Sequence, residues 1–184
     1  MKQWLKGLID HADMLVGRAG RLASWLGLMM VLLVAFDVLA RYLFAYGSVA
    51  LQELEWHVLA AIALMGMSYT LHRGEEVRVD ILYVRFGPPA RRLVDLLTAA
   101  LTVALSLIII KLSLAYVNQS YALGEGSPDP GGLPYRFVLK ALIPLGFVLL
   151  TIQAIVQFYR IATAAPEPDA APQPTPSTDM TNGN

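Results

Sequence analysis

Four predominantly apolar blocks set the terms for this chain. They cover residues 22–43, 51–71, 93–117 and 138–159, with lengths of 22, 21, 25 and 22 residues. About 20 such residues are needed to carry a helix across ~30 Å of hydrocarbon at ~1.5 Å per residue. Each block therefore meets the length of a transmembrane helix, and together they take up close to half of the 184 residues. Lipid offers no water to unpaired backbone groups, so a spanning segment is a helix or part of a closed barrel. The blocks lack the short alternating pattern of barrel strands, which leaves helices. The composition agrees. Charged residues make up 15% and apolar residues 56% of the chain, against roughly 25% and 45–50% in soluble domains.

The first block could be read as a cleaved signal peptide, because Ser48-Val49-Ala50 resembles a small-x-small cleavage site. It is longer than an h-region of about 7–15 residues, and it carries Asp37 and Arg41. We read it as an uncleaved span. Basic residues set the expected orientation. Ten of the fourteen lie before the first span, between the second and third, or after the fourth. Both termini are thus expected in the cytoplasm, with the connections 44–50 and 118–137 facing outward.

Three segments lie outside the spans. In 4–22 the apolar residues recur at helical spacing while Lys2, Lys6, Asp13, Arg18 and Arg21 take other faces, the pattern of an amphipathic helix lying in the membrane interface. A plain extension of the first span is the other reading. The stretch 75–92 mixes charges with Val77, Val79 and Ile81 and meets Pro88-Pro89, which fits a short interfacial helix ending at the prolines, with a strand as the alternative. The tail carries five prolines after Ala165 and is expected to be disordered. The expected fold class is an all-α integral membrane protein, with an interfacial helix at 1–21, a four-helix membrane domain at 22–163 and a Pro-rich tail at 164–184.

Charges at membrane depth are the first candidates for function, because each is costly unless paired or solvated. Asp37 and Arg41 share a helix face at four-residue spacing. Asp37 and Lys111 each lie six residues from the outer end of their spans, ~9 Å deep, so a pair between them is possible. It would fix packing, or Lys111 would snorkel outward. Glu53 and Glu55 open the second span, where acidic groups favour a helix start, and Glu53 can reach His57. Ala60, Ala63 and Gly66 on the second span, with Ala100 and Ala104 on the third, suit close helix contact. These residues are candidates for an intramembrane ion pair or a subunit contact.

The chain carries few groups suited to catalysis or cofactor binding. GxSxG, Walker and HExxH motifs are absent. With no cysteine, the chain has no thiolate for metal binding or nucleophilic attack. His57 and His72 flank one span, ~22 Å apart, too far to ligate one haem together. Paired broken helices of the kind that mark a substrate site are missing. A net charge of zero gives no field for nucleic acid. The expectation is a non-enzyme with no cofactor and an interaction role.

Several strings, in order, carry a resemblance: FDVLARYLF at the end of the first span, LQELEWH opening the second, TLHRGEEVRVDILY after it, and EGSPDPGGLPYRFVLKALIPLGF leading into the fourth. Over 25–159 the chain resembles the DctQ-type small membrane subunit of tripartite ATP-independent periplasmic (TRAP) transporters. It departs from the family pattern at Glu76, where a histidine often stands. The resemblance implies an inner-membrane subunit that scaffolds a large permease subunit in the sodium-driven uptake of an organic acid, which a periplasmic binding protein delivers. Its partners would be those two proteins and membrane lipid. The outer loop 124–136, with Glu125, Ser127, Asp129 and Arg136, would help to dock the binding protein; a compact turn without a partner is the plainer reading. Two other classes fit four helices: a small proton-coupled exporter with Asp37 as its carboxylate, and a non-transporting membrane anchor.

Overall fold

A computed structural model describes residues 2–75 and 86–164. The expectations for the tail, and for an interfacial helix or strand across 76–85, fall outside the described residues. The described residues fold into four helices: α1 (Lys2–Phe44), α2 (Val49–Arg73), α3 (Pro88–Ala122) and α4 (Phe137–Thr163). Among these residues there is no strand, and each helix is long and apolar enough to cross a membrane.

The boundaries follow local chemistry. Gly74 ends α2 at φ 67°, a left-handed conformation that costs glycine little, and its N–H reaches back to the Leu71 carbonyl. Pro88 and Pro89 open α3. Proline suits the first helical turn because the N–H it lacks would have no partner there. The two prolines thus start α3 five residues before the apolar block.

The chain does not turn between the amphipathic segment and the first span. α1 runs through Arg21 and Leu22 as one helix of 43 residues. At ~1.5 Å per residue that is ~64 Å, twice the hydrocarbon thickness. No proline interrupts residues 16–26, and the two glycines there lie against α2, Gly17 beside the His72 ring and Gly20 where Tyr69 packs in the place of a side chain. The amphipathic arm and the span are therefore one continuous helix.

The helices form two antiparallel hairpins, α1/α2 and α3/α4, joined chiefly where α2 packs on α4; α1 also touches α4. α4 is the central helix, with Leu149, Thr151, Gln153, Ala154 and Val156 buried. α3 meets α4 through Ala99, Ser106, Ser113 and Ser120, which recur every seven residues and so stay on one seam. Gly146 of α4 sits against Leu64 of α2, where a Cβ would lie 2.6 Å from the leucine Cβ. Gly66, expected to serve packing, has open space around it.

Candidate functional site

Polar residues gather at the two ends of the helix layer. At the end where α1 meets α2 and α3 meets α4, the loop 123–136 folds on itself. The Ser127 N–H donates to the Leu133 carbonyl (3.1 Å), Gly132 N–H to Asp129 (3.0 Å) and Arg136 N–H to Glu125 (2.9 Å). Two acidic side chains then fasten it. Glu53, in the first turns of α2, accepts from the Ser127 hydroxyl and, at 2.6 Å, from the Leu133 N–H. Gly132 is required for this approach, since a Cβ there would lie 2.8 Å from the Glu53 carboxylate. A cavity of about 50 Å³ remains between Glu53, His57, Asp129 and Arg136.

Glu125 is the second fastening. Its carboxylate accepts from the Lys140 ammonium and, at 2.6 Å, from the Ser120 hydroxyl. The Lys140 ammonium also sits 3.9 Å from the centre of the Tyr116 ring, a cation–π contact. The Lys140 bond first, and the Ser120 bond second, hold the Glu125 carboxyl below its ordinary range.

Of the four residues expected in a docking loop, then, Glu125 and Ser127 spend their side chains inside. Arg136 lines the small cavity, and only Asp129 is exposed. Glu53 meets the loop and not His57, whose ring bonds the Glu53 backbone carbonyl at 2.6 Å.

In the spans, Arg41 pairs with Asp37, which is 3% exposed. The other Asp37 oxygen and one oxygen of Glu55 are buried without a hydrogen-bond partner among the described residues. Lys111 is exposed on α3 and does not meet Asp37; α1 packs on α2 and α4 instead.

The opposite end holds a cluster that the sequence did not reveal. Asp13 of α1 accepts from His72 Nδ1 of α2 (2.9 Å), and from Gln153 (3.3 Å) and Arg160 (2.8 Å) of α4. One carboxylate thus ties three helices. Arg92 of α3 donates to the Ala162 carbonyl at 3.0 Å nearby. The available signal was Gln153, an amide in an apolar block that needs a partner once buried. Among the described residues no group of three metal-ligating side chains occurs.

The fold and these clusters define a four-helix membrane protein whose polar side chains tie its own helices and loop. The family model for the DctQ component of tripartite ATP-independent periplasmic transporters matches residues 30–164. The chain belongs to that family: it is a TRAP transporter small permease subunit, a transport component. It is similar to the ectoine TRAP transporter small permease protein TeaB of Halomonas elongata, at 23% identity over 150 residues, 81% of this chain and 77% of the relative.

Proposed function

We propose that this subunit scaffolds a large permease subunit during sodium-driven uptake of an organic acid handed over by a periplasmic binding protein. The observation that carries the reading is the use of the polar side chains. Glu53, Glu125, Lys140 and Asp13 are engaged in ties between helices and loop, which supports a static support over a carrier with its own substrate site. Both termini face the cytoplasm in this reading, as the distribution of basic residues favours. The folded loop then faces the periplasm, with Asp129 and the neighbouring prolines as the surface offered to the binding protein. The exporter reading loses support because Arg41 of the same helix already neutralises Asp37.

The test is reconstitution in liposomes with a sodium gradient. Uptake of labelled organic acids, with ectoine as a comparison substrate, is expected only when the large permease and the binding protein accompany this chain. Uptake by this chain alone, or by the large permease without it, would refute the scaffold role.

A further inference from the structure

We infer that the open edge of α3, centred on Lys111, receives a transmembrane helix of the large permease subunit, and that a carboxylate on that helix pairs with the Lys111 ammonium. The inference rests on the proposed association of the two subunits and names the surface that makes it.

Lys111 is exposed, and among the described residues it has neither an ion pair nor a hydrogen bond. It lies six residues, ~9 Å along the axis, inside the outer end of the apolar block 93–117. A cation at that depth is costly unless something pairs with it. Snorkelling is opposed by the direction of the helix. The Cα–Cβ bond leans toward the helix N-terminus, and the N-terminus of α3 is at the far end of the membrane. The lysine stem therefore leaves the backbone away from the nearer interface.

The rest of that face suits another helix. At ~100° per residue, Ala100, Ala104, Ala115 and Asn118 fall within ~40° of Lys111. All four are exposed. They lie opposite the seam of Ser106, Ser113 and Ser120 that packs on α4. Small residues let two backbones approach closely in lipid, and an asparagine can hydrogen-bond across the contact. Among the described residues none of this is used, because α3 is the edge of the layer and packs on α4.

Charge selects the occupant. A second copy docking on the same face about a two-fold axis would bring two lysines together in hydrocarbon. A lipid phosphate lies in the interface, out of the direction in which the stem leaves. An acidic side chain on a spanning helix of the large permease meets the cation at its own depth.

The chain has no cysteine, so single cysteines can report the contact in the full complex, co-expressed with its large permease. With a thiol-attached photo-cross-linker, Ala104→Cys and Ala115→Cys are expected to give adducts with the large permease at least fivefold above Val31→Cys on the exposed side of α1. Lys111→Leu, which suits a lipid-facing helix and spares the fold, is expected to lower the co-purified large permease about tenfold, while Lys111→Arg retains it. Equal or higher yield from Val31→Cys, adducts between two copies of this chain, or unchanged co-purification with Lys111→Leu would each overturn the inference and leave the subunit association standing. Failure of the unmodified chain to retain any large permease would overturn the association itself.

Discussion

At Gly146 the two helix hairpins are in close contact. An alanine there would place its Cβ 2.6 Å from the Leu64 Cβ and 3.2 Å from the Leu64 carbonyl oxygen. Carbon atoms rest at ~3.5–4.0 Å, so α2 and α4 must separate by roughly 1 Å. The obstacle includes backbone, and rotating a side chain does not remove it. Overpacking of this kind costs about 1–3 kcal/mol. Against it stands the gain of replacing glycine by alanine inside a helix, about 0.8–1.0 kcal/mol. The net expectation for Gly146→Ala is a loss of up to ~2 kcal/mol, at most a few degrees in melting temperature at this chain length. Gly66→Ala is the matched control: nothing lies within 4 Å of its Cβ position, so it should gain up to ~1 kcal/mol from propensity alone. Thermal unfolding in detergent, followed by tryptophan fluorescence, reads both. The same separation should loosen Glu53 of α2 from the loop that leads into α4, raising amide exchange at Leu133. If Gly146→Ala and Gly66→Ala shift the melting temperature equally and in the same direction, the account of the α2/α4 contact is wrong.

Other expectations concern the polar ties. Asp13→Asn removes the charge that faces His72 and Arg160; it should cost about 1–3 kcal/mol, toward the low end because the Arg160 side chain is half exposed. A spin-label distance between the start of α1 and the end of α4 should broaden, and an unchanged distance distribution would remove Asp13 from this role. Glu53→Gln keeps the shape but cannot accept both bonds as an anion, so hydrogen exchange at the Leu133 amide should quicken while exchange in α3 stays as it was. Glu125 gives a pH signature. Its folded-state pKa lies below the ordinary value of 4.5, so its stabilising effect is present above that value and lost as the pH falls through the folded pKa. Melting temperatures measured from pH 7 to pH 3 should show a falling limb below about 4.5 that shrinks in Glu125→Gln.

Reading the sequence located the helices because a spanning helix is a local matter of length, apolarity and backbone pairing. The Asp37–Arg41 contact has the same character, since four-residue spacing fixes it within one turn. The continuity of α1 was harder to foresee. Amphipathic and apolar segments both satisfy helix formation, and only the absence of proline at 16–26 argued against a turn. For the candidate loop residues, the direction of the side chains was not legible. Whether Ser127 faces a partner or Glu53 depends on a residue 74 positions away. Gly66 and Gly146 are alike in sequence context, and only the register of α2 on α4 separates an open glycine from a close contact.

The sequence alone determined that this chain forms four membrane helices with one basic side, because lipid permits few other solutions and charge is counted along the chain. The tertiary structure decided what the charges do. It brought Asp13 to His72, Gln153 and Arg160, and Glu125 to Lys140, while it left Lys111 facing outward. Such pairings depend on helix register and rotation, which are set by summed packing across the whole layer and not by any local pattern.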